Sequence, residues 1–135
     1  MNIKHLLECY RYKSIAYKSV TYESGNNNIA TIHFNKYIKA VCVSDNEIIL
    51  RMNLLIEYSR DILNAPKHAI DVLSIIICSL HCLSNISNEE EKIILKSLGL
   101  YDGSFKKTKK IEHEGVTYIC SQIDNILSIS ISKNV

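Results

Sequence analysis

The segment CSLHC, residues 78–82, places two thiols and an imidazole within five residues. Thiolates and imidazoles are the ligands that Zn²⁺ prefers, and a thiol beside an imidazole can also act as a nucleophile with its base. A tetrahedral zinc site needs a fourth ligand, and the sequence has no CxxC or HxxxH pair to provide a second cluster. We therefore expect neither a metal ion nor a cofactor.

The spacing of these thiols also argues against redox chemistry. A thioredoxin-like pair has two residues between its cysteines and lies at a helix N-terminus, where the helix dipole lowers the thiol pKa. In CSLHC three residues separate the cysteines, near the end of an apolar helix. The chain has an odd number of cysteines without framework spacing, which predicts reduced and mostly buried thiols at Cys9, Cys42, Cys78, Cys82 and Cys120.

Two predicted turns carry the residues that we assign to partner binding. The stretches YDG (101–103) and EHEG (112–115) flank a lysine-rich segment. Loops on a rigid scaffold often carry recognition residues, although an ordinary solvated turn would have the same composition. The predicted partner-binding residues are Tyr101, Asp102, Glu112, His113 and Glu114.

The lysine-rich segment KKTKK, residues 106–110, has two interpretations. Four lysines in five residues could contact phosphates, but lysines also protect the exposed edge of a sheet from pairing with another chain. No aromatic-interleaved RNA motif and no helix-turn-helix pattern accompanies them. We favour the edge strand and expect no direct binding of nucleic acid.

Length and composition indicate one globular domain over residues 1–135. The chain is 47% hydrophobic, with one proline and four glycines, and its 16 basic and 14 acidic residues give a net charge of +2. That balance is not typical of a dedicated nucleic-acid or membrane-surface protein. The longest apolar run, residues 69–83, is short for a membrane span and contains Asp71 and His81. We expect a cytoplasmic protein that does not contact a membrane.

Hydrophobic periodicity predicts an α+β fold with an N-terminal helix, an antiparallel strand meander, three central helices, and a C-terminal antiparallel β-hairpin or three-strand meander. The first helix covers residues 3–12, and the meander ends near Val43. A capping-box pair, Ser44 and Glu47, favours a helix over residues 45–64, with a strand over EIILRM as the alternative. A second helix follows from Pro66 to Leu83.

The last third of the chain has the clearest local signals. Ser87 and Glu90 form a second capping-box pair, and Gly99 is placed to end the helix that they begin. A two-residue turn at Asp124–Asn125 would align two strands, with Cys120 opposite Ile129. In that register the apolar side chains of both strands share one side of the hairpin, which supports the alignment.

In length, lone domain and absence of catalytic signatures, this Lys-, Asn-, Ile- and Ser-rich chain resembles the immunity proteins of bacterial toxin–immunity systems, especially those of contact-dependent growth inhibition. The resemblance implies a protein that binds a cognate toxin domain, with a nuclease as one candidate, and blocks its active site. Asp102, Glu112 and Glu114 would then contact a basic pocket of the toxin.

Two other classes of function stay open. Helix, three strands and helix over residues 3–64 look like the first half of type III secretion chaperones. A cysteine-dependent hydrolase or transferase would need the fold to bring a histidine to one of the thiols. The absence of catalytic motifs favours a protein that is not an enzyme.

Overall fold

The computed structural model describes residues 1–57 and 66–134, which form three α-helices and seven β-strands. The helices are α1 (Ile3–Tyr12), α2 (Pro66–Leu83) and α3 (Asn88–Ser97), and a 3₁₀ turn covers Ser104–Lys106. The strands are β1 (Ser19–Glu23), β2 (Asn26–His33), β3 (Ile38–Asp45), β4 (Ile48–Glu57), β5 (Lys109–His113), β6 (Val116–Ile123) and β7 (Ile126–Lys133).

All seven strands belong to one antiparallel sheet with the order β1-β2-β3-β4-β7-β6-β5. The pairing of β4 with β7 joins the N-terminal four strands to the C-terminal three, and it aligns Leu54 with Ile129. β5 lies at one edge of the sheet, as the lysine-rich segment predicts. The α+β class is confirmed.

Residues 48–57 correct the prediction of a helix over 45–64, because they form β4 instead. The register of β3 with β4 shifts between Val43 and Ser44, so Leu50 is an extra residue in β4. This bulge puts Ile49 and Met52, three residues apart, on the same buried face, and that spacing imitates helical periodicity. Residues 58–64 of the predicted helix lie outside the described residues.

The segment from Ser44 to Glu47, which was predicted to cap that helix, leads into a hairpin turn instead. Asn46 and Glu47 have φ angles of 50° and 65°, and Asp45 pairs with Ile48. Positive φ at both central residues is the signature of a type I′ turn, which joins two antiparallel strands closely. Two central helices therefore follow the meander, where three were predicted.

The other predicted elements are confirmed. α1 has the predicted bounds, and Ser87 and Glu90 form the reciprocal capping box of α3. In the C-terminal hairpin, Cys120 lies opposite Ile129, as the two-residue turn requires. These three elements have strong local sequence signals, which explains why each could be predicted without knowledge of the tertiary structure.

The core lies between one face of the sheet and the helices. Alternate residues of the strands, such as Leu54 and Ile129, are fully buried with Leu80 of α2 and Leu95 of α3. Alternation places every second side chain of a strand on the same face, so the remaining strand residues lie on the opposite face. The helices thus cover one side of the sheet.

A buried tyrosine links three elements across this core. The hydroxyl oxygens of Tyr10 in α1 and Ser79 in α2 are 2.5 Å apart, and the Ser79 hydroxyl donates to the backbone oxygen of Ile75 at 2.6 Å. The single Ser79 proton is used in that bond, so the Tyr10 hydroxyl donates to Ser79. The sulfur of Met52 in β4 lies 3.7 Å from the same tyrosine oxygen. This polar contact holds α1 on α2 above the sheet.

Tyr10→Phe should lower the free energy of unfolding by about 1 kcal/mol, because it removes one buried hydrogen bond and leaves Ser79 paired with Ile75. Ser79→Ala should cost more, about 1–3 kcal/mol, because it leaves the buried tyrosine hydroxyl without its oxygen partner. Urea denaturation measures both values. Tyr12→Phe is the control, since that side chain is 85% exposed. Equal stabilities of the two Phe variants would contradict the assignment.

Gly99→Ala should destabilise the protein more than Gly115→Ala. Both glycines have positive φ, +77° and +79°, so an added Cβ strains the backbone at either position. At Gly99 the new Cβ would also lie 2.6 Å from the backbone nitrogen of Phe105, whereas nothing lies within 4 Å at Gly115. Thermal unfolding of the two variants tests this difference, and identical midpoints would show that the loop after α3 yields freely.

Candidate functional sites

One candidate surface is the face of the sheet turned away from the helices. We call it the uncovered face. Its central row crosses all seven strands in register and consists of Thr21, Thr31, Val41, Asn53, Ser130, Ile119 and Lys110. The residues from Thr31 to Ile119 in this row are all partly exposed. No described helix packs on them.

The centre of the uncovered face is uncharged. The partly exposed residues around Asn53 and Ser130 are Val43, Leu55, Ile119, Ser121, Ser128 and Ser132. Charged side chains of this face lie toward its ends and at one edge: Lys39, Arg51, Glu57, Lys110 and Glu112. Protein interfaces have the same distribution, with charges depleted at the centre and present at the rim.

The size of the uncovered face suits a macromolecular partner. Seven strands about 4.8 Å apart and three rows of outward side chains about 7 Å apart give a plan area on the order of 500 Å². A stable interface buries about 800 Å² on each partner when side-chain relief is included. The face could therefore supply most of one interface.

Two of the predicted partner-binding residues lie in the loop after α3. Tyr101 is 58% exposed. Asp102 accepts a hydrogen bond of 2.9 Å from the backbone nitrogen of Ser104, and this bond holds the pKa of Asp102 below its usual value. The carboxylate of Asp102 thus shapes the turn that leads into the 3₁₀ segment, with its charge still in solvent.

The other three predicted residues belong to the β5–β6 hairpin and separate onto two sides. Glu112 lies 3.6 Å from Lys110 on the uncovered face. His113 lies on the helix side, where its Nε2 contacts a carboxylate oxygen of Glu90 and lies 4.0 Å from Glu114. Adjacent residues of a strand point to opposite faces, which separates Glu112 from His113. Glu114 follows the strand in a turn with a positive φ, and there its carboxylate lies near His113.

α3 supplies two adjacent carboxylates that bind histidines of different elements. Glu91 accepts a 2.6 Å hydrogen bond from Nε2 of His81 in α2, and Glu90 contacts His113 in β5. Glu90 also accepts from the backbone nitrogen of Ser87 at 3.0 Å, completing the capping box. The backbone bond with Ser87 is the main reason that the pKa of Glu90 is lowered, and His113 adds to it.

The CSLHC segment forms a second candidate site with a residue that the sequence analysis did not connect to it. Cys9 of α1 lies against Cys78 and Cys82 of α2, and the three sulfur atoms are all within 4.8 Å of one another. Cys9 and Cys82 form a disulfide, which corrects the expectation that all five thiols are reduced. Their separation of 73 residues hid this proximity. Cys78 is free and buried.

The three cysteines lie on the wall of a cavity of about 420 Å³, which we call the thiol pocket. The remaining lining residues are Lys13, Ile15, Ser74, Ile77, His81, Asn88 and Glu91. Ser74, Cys78 and His81 all belong to α2, so one side of this helix forms much of the pocket wall. Burial raises the pKa of Cys78, and the positive charge of Lys13 opposes that effect.

The remaining thiols, Cys42 and Cys120, belong to the core face of the sheet. Burial raises the pKa of each to about 12, so both are protonated at neutral pH. Within residues 1–57 and 66–134 no histidine is hydrogen-bonded to a cysteine. A cysteine nucleophile with its base therefore stays a prediction from the sequence.

Comparisons with protein-family models, curated proteins and solved structures give no match to this chain. Among the described residues no single helix is long and apolar enough to cross a membrane, and one pair of helices that reaches this length together is bent by 118°.

Glu90→Gln should make the protein less stable at neutral pH and less sensitive to acid. The pKa of Glu90 is lower in the folded than in the unfolded chain, so its carboxylate stabilises the fold above the unfolded pKa. That contribution is lost as pH falls through the folded pKa. Urea midpoints from neutral pH to about pH 3 should converge for the two proteins.

Glu89→Gln is the matched control for this experiment. Glu89 lies in the same first turn of α3 and has the same charge, whereas the capping box uses Glu90. It should show only the small loss that follows from the helix dipole. A difference between wild type and Glu90→Gln that stays constant down to acid pH would contradict the assigned ionisation of Glu90.

Proposed function

We propose that this protein is a binding inhibitor that neutralises a cognate bacterial toxin domain by forming a tight complex with it. The observation that supports this proposal is the uncovered face, a broad antiparallel surface with an uncharged centre and a charged rim. Inhibition by binding needs a complementary surface and no chemistry of its own.

The centre of the uncovered face has suitable groups for a tight contact. Val41, Leu55 and Ile119 provide aliphatic surface that is already partly buried, so the remaining cost of ordering their side chains is small. Between them, the serines of β7 have short side chains that permit close approach of a partner backbone and can donate or accept hydrogen bonds. A partner that covered this centre would exclude water from both kinds of group.

The rim indicates the charge of the partner. Lys39, Arg51 and Lys110 are basic, whereas Glu57 and Glu112 are acidic. A mixed rim favours a toxin surface with both signs of charge over a uniformly basic nuclease pocket, because like charges at an interface are repelled. Rim charges mainly set orientation and the rate of encounter, whereas the uncharged centre supplies affinity.

The described part of the chain does not have the element pattern on which the secretion-chaperone alternative was based. That pattern required a helix after the three-strand meander, and β4 occupies this position as a fourth strand. The four-strand half then continues into the same sheet as the C-terminal three. No described feature favours a chaperone over an inhibitor, so we do not propose one.

Ile119→Lys and Val41→Lys should each abolish neutralisation. A charge at the centre of the face would be desolvated without a partner, and we expect binding to weaken by about 100-fold. The readout is survival of cells that co-express a toxin domain encoded by a neighbouring gene, together with a titration of the purified pair. Ile93→Lys adds the same charge on α3, where Ile93 is 61% exposed, and should leave binding unchanged.

Two outcomes would overturn the proposal. The wild-type protein could fail to bind or neutralise the adjacent toxin domain at all. Alternatively, both central lysine variants could keep full neutralisation while their urea midpoints match that of the wild type, which would place the contact elsewhere on the molecule.

A further inference from the structure

The three sulfur atoms of the thiol pocket lie close enough together to bind one metal ion. Cys78 and Cys82 are separated by one helical turn, and their Sγ atoms are 3.7 Å apart. Two thiolates bound to one tetrahedral zinc ion, each at about 2.3 Å, are about 3.8 Å apart. Cys9 brings a third sulfur within 4.8 Å of both. The helix spacing and the packing of α1 on α2 have thus placed three soft ligands around one point.

We propose that Cys9, Cys78 and Cys82 form, in the reduced protein, a three-thiolate site for a thiophilic cation such as Zn²⁺, and that the Cys9–Cys82 disulfide is the oxidised, metal-free form of this site. A dithiol reductant supplies the two electrons that cleave the disulfide and becomes a disulfide itself. The three thiols then lose their protons as their sulfurs bind the cation.

The backbone positions of the cysteines suit both forms of the site. The Cα atoms of Cys9 and Cys82 are 6.6 Å apart, near the long end of the range that a disulfide spans. After reduction, the two sulfurs could therefore move apart and bind one cation while the distance between α1 and α2 stays the same. A disulfide sulfur carries no thiolate charge, so the two forms exclude each other.

The surroundings of the cluster provide access and compensating charge. The thiol pocket has a volume of about 420 Å³, and Cys9 and Cys82 are partly exposed, so an ion can enter and a water molecule has room as the fourth ligand. Three thiolates on a divalent cation leave a net charge of −1. Lys13 lies on the same pocket wall, where its positive charge would offset this negative charge.

The chain contains its own controls for this proposal. Cys42 and Cys120 are buried in the sheet core, and neither belongs to the sulfur cluster. A second cluster, formed by Glu90, His113 and Glu114, offers nitrogen and oxygen ligands that do not change with the redox state. Zinc at the thiol pocket should depend on reduction, whereas zinc at the second cluster should not.

The test is a zinc titration of the purified protein against a chromophoric chelator, without oxygen, before and after reduction by a phosphine that is then removed. We expect one equivalent of Zn²⁺ to bind the reduced protein and none to bind the oxidised protein at this site. Cys78→Ser should weaken zinc binding by at least about tenfold, because it removes one of the three ligands. Cys9→Ser and Cys82→Ser should do the same, whereas Cys42→Ala and Cys120→Ala should have no effect.

Co²⁺ gives a second readout that counts the ligands. The thiolate-to-cobalt charge-transfer band grows with the number of bound thiolates, so it should fall by about one third in Cys78→Ser. Circular dichroism verifies that each variant is folded. Three results would overturn the proposal: no zinc bound by the folded, reduced protein; unchanged affinity in Cys78→Ser; or equal binding before and after reduction that His113→Ala abolishes.

Discussion

The hydrogen bond between Tyr10 and Ser79 fixes the relative positions of the layers on which both candidate sites depend. A buried hydroxyl must find a partner, and Tyr10 finds it where α1 crosses α2, beside Met52 of β4. The position of Tyr10 determines that of its neighbour Cys9. Cys9 precedes Tyr10 in α1 and lies on a neighbouring side of that helix. It therefore reaches Cys82, which lies about one helical turn after Ser79 in α2. The thiol pocket is therefore a consequence of core packing.

The same layer arrangement leaves one side of the sheet available. A seven-stranded sheet has two large faces, and the described helices pack on one of them. The covered face carries large aliphatic and aromatic residues, such as Leu54 and Tyr118. The uncovered face carries smaller or polar residues at the neighbouring positions, such as Asn53 and Thr117. Such a division lets the core be stable by itself while the other face keeps the composition that an interface requires.

The sequence could predict what depends on local signals and could not predict what depends on tertiary contacts. The helix beginning at Ser87 and the hairpin around Asp124 have caps and turns within a few residues, and both were predicted. β4 was predicted as a helix because the bulge at Leu50 places its buried residues Ile49 and Met52 three positions apart, where a regular strand would have a spacing of two. Cys9 lies 73 residues from Cys82, and only the crossing of two helices relates them. The contact of Glu90 with His113 is equally invisible in one sequence, since it joins a helix cap to a distant strand.

The two candidate sites can operate without interfering with each other. The disulfide at the thiol pocket joins α1 to α2, and both helices pack on the covered face of the sheet. A disulfide that closes a loop of this length stabilises a fold by up to about 4 kcal/mol, mainly by restricting the unfolded chain. A zinc ion held by the same two cysteines and Cys78 would also join α1 to α2, so the helical layer would be cross-linked in either redox state. The uncovered face, on the far side of the sheet, would then keep its shape while the thiol chemistry changes. A binding protein with this arrangement could hold its partner under both oxidising and reducing conditions.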